Sequence, residues 1–394
     1  MEKIRLGIIG VGNMGSSHAV KLYNHAVPEI CLTAVCDIKP ERLEWAGNTF
    51  GDGVALFDNA EKMMDSGLID AVCIAVPHYY HPTYAITALE KGLHVMIEKP
   101  AGVYTAQVKE MIAVADKHRE LTFAIMMNQR TNCLYRKMHE IVASGEMGEL
   151  KRSNWIITDW FRSQFYYDSG DWRATWSGEG GGVLLNQCPH NLDLWQWICG
   201  MPVKVKAQMH FGKWHDIEVE DDVSAYAEYA NGATGVFITS TGDCPGTNRL
   251  ELTLERGKMV AEDGKLTVWK TKDNVLVKDF LKTSQSPWDR PETVMEEVEL
   301  DGENPQHMGV FKQFAGHILR GEPLVADGRE GLYGLTLSNG MHLSAFLGKT
   351  IDLTDFDDGL FKQELDKRIA EGGHKANIIN TVCEDMSKSF EEHH

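Results

Sequence analysis

The 394-residue chain lacks any apolar run approaching the ~20 residues a membrane span needs. It also lacks positive charge: 39 Lys and Arg stand against 57 Asp and Glu, a formal net charge of −18. Nucleic acid is therefore not expected as the main partner, since phosphate binding draws on a Lys/Arg excess. No C-x-x-C pair occurs among the eight cysteines, so neither structural zinc nor a disulfide framework is expected, and no other metal site is assigned. The stretch Ile4 to Val11 is short and broken by Gly7 and Gly10, unlike a signal peptide. A cytoplasmic setting with reduced thiols is the expectation. Repeats and low-complexity tracts are absent. A hydrophobic fraction of 43% and a charged fraction of 24% exclude a mainly disordered chain. The length suggests two or three domains at ~150 residues each.

The first 125 or so residues alternate strand-like and helix-like patterns. Ile4 to Ile9, Leu32 to Cys36, Ala71 to Val76, His94 to Ile97 and Thr122 to Met126 read as strands. Helical patterns cover 13 to 25, 40 to 49, 82 to 91 and 106 to 118. Such alternation predicts parallel β-α-β units. Continuous rather than alternating apolar strands predict a sheet covered on both faces. After Arg130 the pattern changes. A helix over 133 to 144 precedes long strand-like runs at 223 to 229, 233 to 240, 249 to 254 and 266 to 269. In one of them Leu250, Leu252 and Leu254 alternate with Glu251 and Thr253, the period of a half-buried antiparallel strand. The predicted fold is α/β: a Rossmann dinucleotide-binding domain over 1–127, then an α/β domain over 128–360 with a large, mostly antiparallel, open-faced sheet. A charged C-terminal tail over 361–394 is expected to wrap the surface.

Gly10-Val11-Gly12-Asn13-Met14-Gly15 follows the first strand and opens the first helix. The first glycine allows the tight turn, the second lets backbone approach a pyrophosphate, and the third lets helix pack on strand. The helix N-terminus offers N–H groups and the positive end of a dipole to phosphate. Asp37 ends the second strand 22 residues past Gly15, near the ~20 expected of a carboxylate that accepts hydrogen bonds from a ribose. A carboxylate there repels a 2′-phosphate, and Ile38 rather than Arg follows it. NAD is thus favoured over NADP, with Lys39 the one cation in reach.

Glu98-Lys99-Pro100 directly follows the strand ending at Ile97. Ligands of open α/β sheets bind beyond the carboxyl ends of the strands, which aims Lys99 at a nicotinamide. Farther on, Gly180-Gly181-Gly182 leads into Asn186-Gln187-Cys188-Pro189-His190-Asn191-Leu192-Asp193, a glycine-rich turn entering a helix that carries a histidine. Residues 151 to 176 hold eight aromatics in 26 positions, where the chain average of 9% gives two to three. Aromatic faces with polar tips suit the C–H faces of sugars. Trp160 and Trp172 are candidate platforms, and Arg162 and Arg173 among them can read hydroxyls or a carboxylate. Packing between domains or subunits is an equally open role for this segment.

Taken together, these features resemble the Gfo/Idh/MocA family, the glucose-fructose oxidoreductase and inositol dehydrogenase group. The likeness covers roughly residues 3 to 350. It rests on the glycine motif, Asp37, Pro77 to His81, Glu98-Lys99-Pro100, Asn128-Gln129-Arg130, Trp172-Arg173, and the glycine-rich run through His190 and Asp193. The resemblance implies a nicotinamide-dependent oxidoreductase acting on a hydroxyl of a sugar, cyclitol or glycoside. It implies a dimer or tetramer paired through open sheets. It places Val76, Pro77, His81 and Glu98 at the cofactor with Gly10, Gly12, Asn13, Met14, Gly15, Asp37, Ile38 and Lys99. Asn128, Arg130, Trp160, Arg162, Trp172, Arg173, Asn186 and Gln187 would line the substrate cleft with His190. The family's usual Asp four residues before the histidine is Asn186 here. An amide carries no charge, so acid/base work is expected of Lys99 and His190. Two other readings stay open: a glycosidase that oxidises its substrate transiently and eliminates the aglycone, and a non-catalytic sugar or NAD sensor.

Overall fold

A computed structural model describes residues 2–373, 375, 378 and 379. The chain begins with β1 (Ile4–Ile9), α1 (Asn13–Tyr23), β2 (Ile30–Cys36), α2 (Pro40–Phe50), β3 (Ala55–Phe57), α3 (Ala60–Asp65), β4 (Ala71–Ile74), α4 (His81–Glu90), β5 (His94–Ile97), α5 (Thr105–Ala115) and β6 (Phe123–Ile125). These six strands form one sheet in the order β3-β2-β1-β4-β5-β6. Every pairing in it is parallel. All four residues of β4 are buried, as are all but one of β1, which is why their sequences read as unbroken apolar runs. The chain reverses its direction of travel across the sheet between β1 and β4. The crevice beyond their carboxyl ends is where such sheets hold ligands.

The second half runs α6 (Cys133–Ala143), β7 (Leu150–Ile157), α7 (Gln164–Asp168), α8 (Pro189–Cys199), β8 (Lys204–Phe211), β9 (Glu220–Glu228), β10 (Thr234–Ser240), β11 (Asn248–Leu254), β12 (Gly257–Glu262), β13 (Lys265–Thr271), α9 (Val277–Thr283), β14 (Thr293–Val298), α10 (Gln306–Arg320), α11 (Gly331–Leu347), β15 (Ile351–Asp352) and α12 (Asp358–Glu371). Nine strands make one mixed sheet in the order β14-β13-β12-β11-β7-β10-β9-β8-β15. Only β7 and β10 pair in parallel. Along β8, Val205, Ala207 and Met209 point inward while Lys204, Lys206 and Gln208 point out. The inner face packs on α8 and α11 through residues such as Trp195 and Leu337, both wholly buried. The other face stays open.

Three features depart from the sequence expectation. The short strand β3 escapes a periodicity reading because three residues carry no period. The helix α10 returns from the far side of the second sheet to close the first: its Val310, Phe311, Phe314 and Ala315 share a core with Ile4, Leu6 and Ile8. Asp327 then bridges to Ala124 on β6. The segment 306–327 thus belongs with the first sheet, so a linear division at 127 and 128 does not describe the packing. Finally, the charge-rich stretch from 361 starts inside α12. Asp357 caps that helix by accepting from Leu360 N at 2.9 Å, and Phe361 and Leu365 are 2% and 0% exposed. Of the rest of the expected tail, 374, 376, 377 and 380–394 lie outside the described residues. Among the described residues no helix is long and apolar enough to cross a membrane.

Because Phe311 is fully buried between α10 and the first sheet, Phe311→Ala should cost about 3–5 kcal/mol of stability in urea unfolding. A loss below about 1 kcal/mol would show that α10 does not close that core.

Candidate active site

The turn after β1 is built by close approach. Gly10 has φ +87, and a Cβ there would lie 2.4 Å from Ala75 O; a Cβ on Gly15 would lie 1.8 Å from Gly10 O. Side chains at either position would push α1 off the strands. A Cβ on Gly12 would meet nothing within 4 Å, so that position faces open space over the N-terminus of α1, which has no side-chain cap. Asn13 and Met14 form its first turn. Asp37 closes the loop from the side, its carboxylate accepting from Val11 N and from Lys39 N, each at 2.9 Å. A carboxylate has about four acceptor positions, so two remain for ribose hydroxyls. Ile38 beside it is 81% exposed, an apolar flank at the rim. Val76 leans over Gly10, its Cγ1 3.0 Å from where a Cβ there would sit. These residues fit a dinucleotide: an open backbone at Gly12, an uncapped helix dipole and a ribose-ready carboxylate. Arg42, unexpected from the sequence, braces the cradle by donating from Nε to Val11 O at 2.8 Å.

Two residues expected at the cofactor make contacts within the protein. Glu98 is 5% exposed, and its Oε1 lies 2.6 Å from His18 Nε2 on α1. Burial pushes this carboxyl up, but the His18 hydrogen bond and charge, aided by His307 and Lys99, hold it at about 2. It ties β5 to the first helix. His81 is clasped between two backbone carbonyls, Nδ1 2.7 Å from Pro100 O and Nε2 2.8 Å from Val76 O. A neutral ring has one N–H, so it donates to one of these two carbonyls while lying between the turn after β4 and the Glu98-Lys99-Pro100 turn. Pro77 opens the short turn before α4, its carbonyl accepting from Tyr80 N at 2.9 Å.

Lys99 leaves the carboxyl end of β5 and donates from Nζ to Asn186 O at 3.0 Å. Burial lowers its pKa, Glu98 and Glu179 raise it, and Arg173 and Arg162 lower it again; the net direction is down. One helical turn beyond Asn186, His190 sits in the first turn of α8, 5% exposed. Burial and the charge of Lys99 hold its pKa well below the ordinary 6.5, and the positive end of the helix dipole works in the same direction. The ring is neutral at physiological pH. The Asn186 amide donates to Glu179 Oε1 and, at 3.2 Å, to Tyr166 Oη. Gln187 Nε2 and Arg173 NH1 donate to the same Tyr166 oxygen, at 3.3 Å and 2.9 Å. Gln187 Oε1 and His190 Nδ1 are buried with no hydrogen-bond partner among the described residues.

The aromatic segment converges on this network. Arg173 stacks 4.6 Å from the Tyr166 and Trp172 ring centres, and Arg162 lies 5.2 Å from Tyr166 and 5.6 Å from Trp160. Trp172 meets His78 edge-on at 5.6 Å. Trp160 donates to Asn191 Oδ1 at 3.2 Å. The glycine-rich turn is held by Glu220, fully buried, whose carboxylate accepts from Gly182 N at 2.8 Å and Leu184 N at 3.0 Å.

Two residues expected in the substrate cleft have other work. Arg130 is 4% exposed. It binds both oxygens of Asp193 at 2.7 Å and Glu330 Oε2 at 2.6 Å, fastening the domain junction to α8. Asn128 is 1% exposed and donates to Gln306 Oε1 at 2.6 Å. Tyr166, Glu220, His18 and His307 are the site's neighbours that sequence reasoning missed. Tyr166 lay within the aromatic run that marked the segment; the others gave no signal beyond residue type.

Residues 4–125 match the model of an oxidoreductase family with an NAD-binding Rossmann fold, and residues 135–260 match the GFO/IDH/MocA C-terminal domain. The chain belongs to the Gfo/Idh/MocA family of oxidoreductases with an NAD-binding Rossmann fold. Among its relatives, the myo-inositol 2-dehydrogenase of Thermotoga maritima is 25% identical over 342 residues, 85% of this chain and 94% of that protein. The rhizopine catabolism protein MocA of Rhizobium meliloti is 27% identical over 51% of this chain, a match spanning 58% of that protein. The WlbA dehydrogenase of Chromobacterium violaceum, solved in complex with NADH and UDP-GlcNAcA, superimposes with a TM-score of 0.76 at 26% identity, covering 90% of this chain and 98% of that one.

Gly12→Ala should fold normally and lose NAD affinity by at least about tenfold, roughly 1.4 kcal/mol, in a calorimetric titration. Gly15→Ala should instead lose about 1–3 kcal/mol of stability. Equal effects would contradict the division of labour between the two glycines. Arg130→Met should cost about 3–5 kcal/mol in thermal unfolding by stranding Asp193. A stable variant with only a raised KM would return Arg130 to the substrate cleft.

Proposed function

We propose that this protein is a dehydrogenase that oxidises a secondary hydroxyl of a sugar, glycoside or cyclitol, or reduces the matching ketone. The observation that carries this reading is Lys99 Nζ fixed on the Asn186 carbonyl at 3.0 Å, at the strand end beside the dinucleotide cradle and one helical turn before a neutral, buried His190. NAD, when bound in the cradle, accepts or supplies the hydride. His190, kept neutral, is in the form that takes the hydroxyl proton. Lys99 orients the substrate oxygen and, protonated, stabilises negative charge developing on it during reduction. Gln187 Oε1, without a partner among the described residues, is an acceptor for a neighbouring hydroxyl. Trp160, Trp172 and Tyr166 offer flat faces to a sugar ring, and Arg162 and Arg173 offer donors around it. Asp37 supports NAD over NADP by accepting where a 2′-phosphate would be repelled. The open face of the second sheet, with Ile156 and Tyr226 exposed on it, suits pairing with a second copy.

The test is turnover of purified protein with NAD across sugars, inositols, uronates and aryl glycosides, following NADH absorbance and aglycone release together. Steady NADH formation is expected. Lys99→Ala and His190→Ala should each lower kcat/KM by about 10²–10⁴-fold, and His190→Ala should keep its NAD affinity. His190 holds its neutral form below the ordinary histidine pKa of about 6.5. The oxidation profile should therefore show no acid limb at that pH. Aglycone release without NADH would overturn the reading in favour of transient oxidation and elimination.

A further inference from the structure

Asn186 brings no charge to the position before His190, yet a carboxylate stands immediately behind it. Glu179 is 1% exposed. Its Oε1 accepts from the Asn186 amide, and its Oε2 accepts from Ala174 N at 2.6 Å. It cannot swing away. A Cβ on Gly178 would lie 2.5 Å from Trp172 O, and Gly180 has φ +83 with its Cβ position 2.2 Å from Val103 Cγ1. The turn is thus clamped on both sides of the residue, and His78 Nδ1 lies 3.2 Å from Glu179 O.

The donor arithmetic gives the network a direction. An amide nitrogen carries two hydrogens, and Asn186 spends one on Glu179 and one on Tyr166. Tyr166 Oη meets three N–H groups, from Arg173, Asn186 and Gln187. A phenol oxygen has two lone pairs, so what it retains to give is its own hydrogen. The same Asn186 holds Lys99 through its backbone carbonyl. One residue therefore couples the carboxylate, the tyrosine and the lysine.

We propose that Glu179 is the positioning residue that supplies this site's carboxylate charge: through the Asn186 amide it fixes the donors around the substrate and stabilises the ammonium of Lys99. The proposal rests on the reading of Lys99 as a proton-handling group. Lys99 is faced by Glu98 and Glu179, which favour its charged form, and by Arg162 and Arg173, which oppose it. His78, His81, His190 and His307 also lie in its field, and burial holds each of them down toward the neutral form. Glu98 is already committed to His18, which leaves Glu179 as the carboxylate whose removal would change Lys99 without unlocking α1 from β5. Burial, with Glu220 in addition, raises the Glu179 pKa, and Arg173, the Ala174 N–H and the Asn186 amide take back part of that rise; the net direction is up. Arg173 is therefore part of what keeps the charge there.

The test needs no substrate. Lysine labelled with ¹³C at Cε is incorporated, the Lys99 resonance is assigned with Lys99→Arg, and its pKa is read by NMR titration of the full chain. In Glu179→Gln the Lys99 pKa should fall by about one unit or more, the effect of removing a nearby opposite charge. In the exchanged pair Glu179→Gln with Asn186→Asp, one carboxylate and one amide remain, and the pKa should return at least halfway to the parent value. Should the single variant fail to fold, the exchanged pair decides alone: a Lys99 pKa near the parent value supports the proposal, and one depressed by a unit overturns it. An unshifted pKa in Glu179→Gln also overturns it. A parent enzyme that turns over nothing would instead count against the dehydrogenase reading and leave this measurement intact.

Discussion

A cation partly withdrawn from water must be held by its surroundings, and the half-buried Lys99 imposes that requirement on everything near it. Its stem leaves the end of a buried strand, and its ammonium rests on one backbone carbonyl with two carboxylates in reach and two guanidiniums opposing. Burial alone favours losing the proton. The balance between those groups decides how readily Lys99 gives or takes a proton, and hence whether it serves as hydrogen-bond donor or as base. That balance survives only if the neighbours do not move.

The fold supplies the rigidity. On the cofactor side, the approach of Gly15 to Gly10 O and of Gly10 to Ala75 O leaves no slack between α1 and the strands, and the His18–Glu98 pair fastens that helix to the residue before Lys99. On the substrate side, Glu220 grips the turn into α8 through two backbone N–H groups, and Arg130 grips the helix through Asp193. The two domains thus bring the glycine-rich cradle and the buried His190 to either side of a junction bound by the buried Arg130–Asp193 ion pair. Breaking such a pair costs far more than its net contribution, because it strands a charge.

What the sequence disclosed was local. The glycine motif, Asp37 and the Glu98-Lys99-Pro100 turn are legible because the steric demands of a strand-to-helix turn act within a few residues. The antiparallel strands of the second sheet are legible where one face is solvated, as along Leu250 to Leu254. What stayed hidden joins distant residues. His18 meets Glu98 across 80 positions, Arg130 meets Asp193 across 63 and Glu330 across 200, and no periodicity encodes such pairs. Hence the sequence placed Arg130, Asn128 and His81 by the family pattern, while the contacts that hold them, to Asp193 and Glu330, to Gln306 and to two backbone carbonyls, gave no signal. Asn186 was visible as a departure from the family pattern. Glu179 was visible only as a weaker cleft candidate; its contact with Asn186 was not, because the path of its glycine-rich turn is set by Val103 and Trp172.

The central claim, that hydride leaves a substrate carbon at this site, is tested most directly by isotope transfer. A sugar or cyclitol substrate deuterated at the carbinol carbon is incubated with the enzyme and NAD, and the NADH formed is analysed by mass spectrometry. The account predicts NADH carrying one deuterium per turnover. NADH without the label, or loss of deuterium to solvent in place of transfer, would contradict it.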